Sequence, residues 1–283
     1  MKIQIIKVPY DCGYKEQRQG LGPDRFFRQS IDRILEADGH QVAISQIESQ
    51  SDFTIEVMSA FELNRLLADE VRCAIKNGFF PVVLSGNCNS CLGTIAGIGP
   101  DNLGVVWFDA HGEFNTPETT LSGFLDGMPL AIATGRCWTS VAATIPGFRP
   151  LAEENLVLVG ARDLDAEEQR QLEKSGINLI RTTDGGNTEI LEGIVAALTA
   201  LKSRINGIYL HVDMDAFEIG SGAANHYGAT GGISPEFMGS AIALVKEYVP
   251  IRGCAVASYD PAFDKDRRFV EAGIQSIRQI VGS

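Results

Sequence analysis

We predict an α/β fold for this chain of 283 residues, with a mostly parallel sheet of about eight strands between two layers of helices, a three-layer α/β/α arrangement. Two observations lead to this prediction. Apolar runs rich in β-branched residues alternate with segments of helical periodicity, as parallel strands require. No Pro-, Gly- or Ser-rich linker interrupts the series, so we expect a single domain over residues 1–283. Eight β/α units could also close into a barrel, and that alternative stays open at this point.

The elements follow one another in order along the chain. The predicted strands are residues 2–8, 41–47, 81–84, 103–108, 156–159, 178–180, 207–212 and 253–257. The predicted helices are residues 24–37, 55–77, 165–175, 188–202, 234–248 and 266–280. In an open parallel sheet and in a barrel alike, active sites lie at the carboxyl ends of the strands, so we expect functional side chains directly after strands.

The composition limits the class of protein. With 45% hydrophobic and 21% charged residues, it is typical of a soluble globular protein. The net charge of -12 argues against a nucleic-acid partner, because phosphates require a basic surface. No apolar run reaches membrane-spanning length and the first residues do not form a secretory signal, so we expect a cytoplasmic protein without a membrane partner. The six cysteines lack paired zinc-ribbon spacing and are expected to be free thiols.

The strand at 103–108 is followed by Asp109-Ala110-His111-Gly112-Glu113, which contains metal-type ligands. If the backbone stays extended, alternate side chains point to the same face, and Asp109, His111 and Glu113 lie together. Taken alone, the pattern also fits a strand end with solvated polar residues.

A second group, Asp213-Met214-Asp215, follows the apolar strand at 207–212. Buried carboxylates are costly without a cation, and neither group has a Lys or Arg within several residues. Four acids and one histidine therefore predict a divalent metal. The mixed oxygen and nitrogen donors suit Mn, Zn, Fe or Co.

The segment 115–127 follows the first group and shows neither helical nor strand periodicity. It is rich in hydroxyl side chains and contains an amide, which are natural partners for a carboxylate. Beside metal ligands, such a loop is typical of a substrate-binding segment. An ordinary Asn/Thr/Ser turn has the same composition.

Several motifs spread over nearly the whole chain belong together. They are Gly22-Pro23, Leu84-Ser85-Gly86-Asn87-Cys88, residues 109–127, residues 160–165, Asp213-Met214-Asp215 and Gly231-Gly232-Ile233. In combination they resemble the ureohydrolase family, which comprises arginases, agmatinases and formiminoglutamases. The resemblance implies a three-layer α/β fold with a parallel sheet, and a pair of manganese ions that hydrolyse a linear C–N bond of a guanidine or amidine.

The resemblance also implies roles for the two acidic groups. Asp109 and Asp213 match the carboxylates that bridge both metal ions, a role for which two oxygens are suited. His111 and Asp215 match residues that complete the coordination of one of these ions. The expected cofactor is two divalent ions, Mn²⁺ first, with Zn²⁺, Fe²⁺ or Co²⁺ as alternatives.

Two departures affect the other ion. Glu113 stands where the family has an aspartate, and Cys88 stands where it has a histidine. Both side chains can ligate, and a thiolate favours a softer ion than a carboxylate does. We therefore expect Cys88 and Glu113 to be metal ligands, although a free cysteine also fits a small buried residue.

The loop positions bear on the substrate. Asn115, Thr120 and Ser122 match the arginase residues that bind the α-carboxylate of an amino acid, and Asp165 matches a residue near its α-amino group. The resemblance therefore implies an amino-acid head group.

Two further departures bear on the chemistry. Asp126 stands where arginases have a proton-shuttling histidine, and Ser258 stands where the family usually has a glutamate that holds the guanidinium group. His226, in a loop after the second acidic group, is a candidate replacement acid or base, or a solvated histidine. His211 precedes Asp213 and is expected behind the metal ligands.

These observations predict a dinuclear hydrolase that cleaves a linear C–N bond of a guanidino, hydroxyguanidino or amidine compound, derived from an amino acid, by attack of metal-bound hydroxide. A hydroxyguanidino group suits the missing histidine, because its leaving group needs less protonation. The expected partners are this small molecule and, by resemblance, further copies of the chain. The alternative is a silent, metal-poor relative that acts as a binding or regulatory protein.

Overall fold

The computed structural model describes residues 1–51, 55–182, 186–218, 220 and 222–282. Eight strands build a parallel sheet in the order β4-β1-β5-β10-β9-β6-β7-β8, and β2 with β3 forms a short antiparallel hairpin. The strands are β1 (Lys2–Val8), β2 (Tyr10–Asp11), β3 (Tyr14–Lys15), β4 (Gln41–Gln46), β5 (Phe80–Ser85), β6 (Leu103–Phe108), β7 (Leu156–Val159), β8 (Asn178–Ile180), β9 (Gly207–Asp213) and β10 (Ile251–Ala257). All eight predicted strands are present, and the sheet is open rather than a barrel.

Ten α-helices accompany the described strands. They are α1 (Gly22–Arg28), α2 (Ile31–Ala37), α3 (Glu56–Lys76), α4 (Cys91–Ile98), α5 (Pro129–Ala133), α6 (Thr139–Ala142), α7 (Ala166–Lys174), α8 (Asn187–Leu201), α9 (Pro235–Tyr248) and α10 (Arg268–Val281). The single helix predicted over 24–37 is wrong, because Ser30 takes a left-handed conformation with φ of 59° and separates α1 from α2.

The helices cover both faces of the sheet, which confirms the three-layer α/β/α prediction. Along β6, Val106 and Phe108 pack into one core, whereas Val105 and Trp107 pack into the other, because alternate side chains point to opposite faces. The first core includes buried residues of α1, α2, α8, α9 and α10. The second includes buried residues of α3 to α7.

The strand order brings the functional segments to one edge of the sheet. The strands β5, β10, β9 and β6 are neighbours and parallel, so their carboxyl ends lie side by side. Asp109 follows β6, Asp213 ends β9, Ser258 follows β10 and Cys88 lies shortly after β5. Residues far apart in sequence therefore meet at the central strand ends, where ligand sites of open α/β sheets lie.

Two other expectations can be compared with the structure. All six cysteines are free, as expected. In the part of the chain that the structure describes, no helix is long and apolar enough to cross a membrane. Because one sheet takes strands from residue 2 to residue 257, we propose a single domain.

Candidate metal centre

Two aspartates end the neighbouring strands β6 and β9 in the same way. The Oδ1 atom of Asp109 accepts a hydrogen bond from the backbone N–H of His111 at 2.7 Å, and Oδ1 of Asp213 accepts one from the N–H of Asp215 at 2.8 Å. Asp213 thereby caps the short 3₁₀ turn Met214–Ala216. Each carboxylate turns the chain away from the sheet and directs the next acidic or imidazole side chain toward the same place.

The first group of converging side chains consists of Asp109, His111 and Asp215, which we name the histidine cluster. The Nδ1 atom of His111 lies 3.3 Å from Oδ1 of Asp109 and 3.5 Å from Oδ2 of Asp215. Asp215 also accepts hydrogen bonds from Asn225 Nδ2 at 3.1 Å and from the N–H of Ala110 at 3.3 Å. The His111 side chain remains 24% exposed, so this cluster is open to solvent on one side.

The second group consists of Cys88, Asp109 and Asp213, which we name the cysteine cluster. The Cys88 thiol donates to Oδ2 of Asp213 at 2.8 Å, and its sulfur lies 3.2 Å from the hydroxyl of Ser258. All three members are buried, and Asp109 belongs to both clusters. The potential ligand atoms within each cluster lie within 4.8 Å of one another.

Three aromatic side chains, Trp107, Tyr209 and His211, pack beneath the cysteine cluster. Trp107 donates its Nε1–H to Oδ2 of Asp109 at 2.7 Å and stacks on the His211 ring at a centroid distance of 3.6 Å. His211 bridges the Tyr209 hydroxyl, 2.7 Å from Nδ1, and the Cys88 sulfur, 3.1 Å from Nε2. Burial lowers the pKa of His211 to about 3, so the ring is neutral. The expectation that His211 lies behind the ligands agrees with this placement.

The electrostatics of both clusters favour a cation. Burial, reinforced by Asp215, raises the pKa values of Asp109 and Asp213, because removal from water and a neighbouring anion both disfavour the charged form. Burial lowers the pKa of His111, but Asp215 and Asp109 outweigh this effect and raise it to about 10. Among the described residues, no Lys or Arg forms an ion pair with these carboxylates. Arg162 lies nearby, but its guanidinium donates to the main-chain carbonyls of Gly160, Asp215 and Ala229.

Glu113 lies outside both clusters. Its backbone is left-handed, with φ of 56°, so the extended alternation assumed from the sequence ends before this residue. Its carbonyl accepts hydrogen bonds from the N–H groups of Leu130 and Ala131 at the start of α5. The side chain is buried in the cavity wall, and Oε2 has no hydrogen-bond partner within the described structure. Burial, followed by the Asp109 charge, raises its pKa well above the usual range.

Asp126 holds the loop that carries Cys88. Its Oδ2 accepts hydrogen bonds from Asn87 Nδ2 at 2.9 Å and from the N–H of Cys88 at 3.0 Å, and its Oδ1 accepts one from the N–H of Asn89 at 2.7 Å. Burial raises the pKa of Asp126 to about 8, although these hydrogen bonds oppose the shift. The carboxyl group therefore fixes the backbone around the sulfur, a contact that sequence alone did not indicate.

The clusters open onto a cavity of about 200 Å³. His111 lines it together with seven carboxyl groups, those of Glu113, Asp126, Asp163, Asp165, Glu168, Asp213 and Asp215. Within the described residues, no Lys or Arg lines this cavity. The cavity is therefore suited to a cationic small molecule.

The predicted substrate-binding residues divide into two groups. Asn115 and Asp165 line the cavity, and Asn115 Nδ2 donates to Asp165 Oδ2 at 3.3 Å. Thr120 and Ser122 are absent from its lining, and their hydroxyls lie 3.4 Å apart. The Ser258 side chain does reach the cavity, from a left-handed backbone position with φ of 63°.

The structure does not bring His226 into the cavity. Its exposed ring contacts Tyr227 at a centroid distance of 5.7 Å and Phe263 at 6.2 Å. The residue that lines the cavity is its neighbour Tyr227, and the buried residue of the same loop is Asn225. The sequence contains no signal for the direction in which a lone loop histidine such as His226 points. It likewise contains no signal that would identify Asn225 as a residue in contact with the metal site.

Comparisons with known proteins agree with this geometry. A sequence model of the arginase family matches residues 1–282. The arginase of Bacillus subtilis strain 168 is 28% identical over 293 residues, which span 99% of this chain and 97% of that protein. The crystal structure of arginase from Bacillus cereus has a TM-score of 0.89 at 26% identity and covers 100% of this chain and 99% of that chain. Formimidoylglutamase from Bacillus subtilis shares the fold, with a TM-score of 0.77 at 16% identity over 99% of this chain and 85% of that chain.

Proposed function

The chain belongs to the arginase family of hydrolases, and from this premise we propose a dinuclear, metal-dependent enzyme that cleaves a linear C–N bond of a guanidino, hydroxyguanidino or amidine compound. One observation carries the proposal. The histidine cluster and the cysteine cluster share the buried Asp109, and among the described residues His111 is the only basic side chain that pairs with their carboxylates. Such an arrangement is costly unless cations occupy it.

The donor atoms fit two divalent ions. The histidine cluster offers two carboxylates and one imidazole, a set suited to Mn²⁺, Fe²⁺, Co²⁺ or Zn²⁺. The cysteine cluster replaces the imidazole with sulfur, which suits the softer of these ions. The buried, unpartnered Oε2 of Glu113 is a further oxygen that a cation would satisfy. We propose Mn²⁺ as the first candidate, in keeping with the family resemblance.

We assign the ligands as follows. Asp109 and Asp213 would contact both ions, because they lie side by side at adjacent strand ends and the Asp109 charge raises the pKa of Asp213. His111 and Asp215 would complete the coordination of one ion, and Cys88 with Glu113 would complete that of the other. When bound, the two ions would generate a nucleophile from water and polarise the substrate.

The surrounding residues bind and orient the substrate. Cavity carboxyl groups that are not assigned as ligands, those of Asp163, Asp165 and Glu168, attract the positive guanidinium or amidinium group, and Asn115 adds an amide beside Asp165. Asp126 is held by three hydrogen bonds, so we assign it to support of the Cys88 loop rather than to proton transfer. A hydroxyguanidino group suits this site, because its less basic leaving group needs less protonation.

Metal content and hydrolysis test the proposal together. After reconstitution with Mn²⁺, Zn²⁺, Fe²⁺ or Co²⁺, elemental analysis should approach two ions per chain for at least one metal. The loaded protein should then hydrolyse a member of a panel of guanidino, hydroxyguanidino and formimino compounds, followed by mass analysis of the products. Asp109→Asn should lose metal and activity, because it changes the shared carboxylate without changing its size.

Asp163→Asn is the matched control, since Asp163 lines the same cavity but belongs to neither cluster. It should retain metal. Absence of bound metal under all four conditions would overturn the enzyme assignment and leave the alternative of a silent binding or regulatory protein.

A further inference from the structure

Two aromatic rings form the outer wall of the acidic cavity. Phe124 and Tyr227 both line it and stack on each other, with ring centroids 5.6 Å apart and planes inclined by 28°. Tyr227 is 44% exposed, whereas the members of the cysteine cluster are buried, so the rings lie on the solvent side of the reacting centre. A ligand that fills the cavity would therefore contact these rings.

We propose that Phe124 and Tyr227 determine specificity, and that the substrate is an amidinium or guanidinium compound whose distal part is aromatic or otherwise apolar. This inference rests on the proposed function, because it names the substrate class of the same site. Aromatic faces attract both aryl groups and delocalised cations. The cavity carboxyl groups that are not assigned as ligands, those of Asp163, Asp165 and Glu168, attract the cationic end, so the two features together orient one molecule.

Each ring is held in place by polar contacts. The N–H of Tyr227 donates to Asn225 Oδ1 at 2.7 Å, while Nδ2 of the same buried amide donates to Asp215 and to the carbonyl of Ser258 at 2.7 Å. Tyr227 is thereby fixed relative to the histidine cluster. On the other side, the N–H of Phe124 donates to the hydroxyl of Ser122 at 3.2 Å.

Two hydroxyls of the loop stabilise the turn that carries Phe124. Thr120 accepts a hydrogen bond from the N–H of Gly123 at 3.1 Å, and Ser122 accepts the one from Phe124. Both hydroxyls support the turn that presents the Phe124 ring, and neither lines the cavity. Neither hydroxyl therefore offers the distal part of the substrate a contact on the cavity wall itself.

The charged side chains near the rings also favour a substrate whose distal group carries no negative charge. Arg18 lies close to Tyr227, but its Nε is paired with the buried carboxylate of Asp11 at 2.7 Å. Within the described chain the cavity wall offers carboxyl groups and no basic side chain. A negatively charged distal group would therefore be repelled, whereas an aryl or alkyl group would replace water against the rings.

Binding of simple amidines tests the inference without requiring turnover. Isothermal titration calorimetry of the metal-reconstituted protein with benzamidinium and with acetamidinium gives the preference for an aromatic substituent. The wild type should prefer benzamidinium. Tyr227→Leu and Phe124→Leu keep apolar volume but remove a ring, and each should lower the preference roughly three- to tenfold, the usual contribution of an aromatic pair.

Phe263→Leu is the matched control, because Phe263 is a similarly exposed ring, 42%, that does not line the cavity. It should leave the preference unchanged, and Tyr227→Phe should retain it. Equal affinity for the two probes in the wild type, or an unchanged preference in both Leu variants, would overturn the inference. Absence of hydrolysis with every panel compound would instead count against the proposed function alone, because the binding preference does not depend on cleavage.

Discussion

The histidine cluster and the cysteine cluster share one aspartate but have different surroundings. The histidine cluster is partly exposed, and its members are fixed by backbone N–H groups and by Asn225. The cysteine cluster is enclosed, and its sulfur is surrounded by Asp213, His211 and Ser258. The histidine cluster borders the cavity, whereas the cysteine cluster packs against the aromatic side chains of β6 and β9.

This difference shows that specific hydrogen-bond partners surround the Cys88 sulfur. A thiolate can only accept hydrogen bonds, so a ligating Cys88 requires Nε2 of the neutral His211 to donate, and Nδ1 then accepts from Tyr209. Hydrogen bonds that orient a ligand commonly tune its metal affinity. We therefore expect the two clusters to differ in metal preference and in the number of protons that they release when a metal ion binds.

The largest effect should come from the aspartates that distinguish the clusters. Asp213→Ala should remove both ions if this carboxylate bridges them, whereas Asp215→Ala should weaken mainly the ion held with His111. Each loss should exceed the roughly 10–100-fold cost of removing an outer hydrogen-bond partner, since a ligand itself is lost. Metal content per chain after dialysis measures both variants. Equal, partial losses would show that Asp213 serves one ion only.

The sequence predicted the position of this centre because apolar runs mark strand ends. Asp109 and Asp213 follow such runs, and parallel strands bring their ends together, so their proximity followed from the fold class. The side-chain alternation predicted that Asp109 and His111 lie together, and they do, although a bend at residues 110–111 rather than an extended backbone brings them there. It was wrong for Glu113, because a left-handed residue there is stabilised by hydrogen bonds to α5, an element that the periodicity did not reveal.

Long-range contacts explain the other differences. His226 faces Phe263 and Tyr227 rather than the cavity, and Asp126 holds residues 87–89, more than thirty positions earlier. Neither contact leaves a local pattern in the sequence. Thr120 and Ser122 do not line the cavity, and the hydrogen bonds that their hydroxyls accept within the turn depend on backbone conformation.

An intermediate effect should follow from Cys88→Ser. Burial raises the pKa of Cys88 well above its usual value, so the metal-free residue is a thiol at pH 7, and coordination must release its proton. Binding at the cysteine cluster should therefore strengthen by about tenfold per pH unit for this proton, and weaken as pH falls. Serine should bind more weakly and lower the number of released protons by about one.

Calorimetry in buffers of different ionisation enthalpy counts these protons. Cys91→Ser is the control, because Cys91 is also buried and has a raised pKa, caused by burial, but belongs to neither cluster. Its proton count should match the wild type. An unchanged count in Cys88→Ser would show that the sulfur is not a ligand.

The smallest effect should come from Glu113→Gln, which tests whether the residue outside both clusters contributes to the cysteine cluster. Because burial raises the pKa of Glu113, the metal-free residue favours its neutral form, and an amide of similar size should change the free energy of unfolding by only about 1 kcal/mol. The loaded protein should respond more, since an anionic ligand is lost. A tenfold weaker affinity lowers metal-dependent stabilisation by about 1.4 kcal/mol at saturating metal.

Thermal unfolding with and without metal measures the difference. Glu168→Gln is the control, because Glu168 is also a buried cavity residue but accepts a hydrogen bond from the N–H of Phe114. If Glu113→Gln and the wild type gain the same stability from metal, Glu113 forms part of the cavity wall and the second ion relies on Cys88, Asp109 and Asp213.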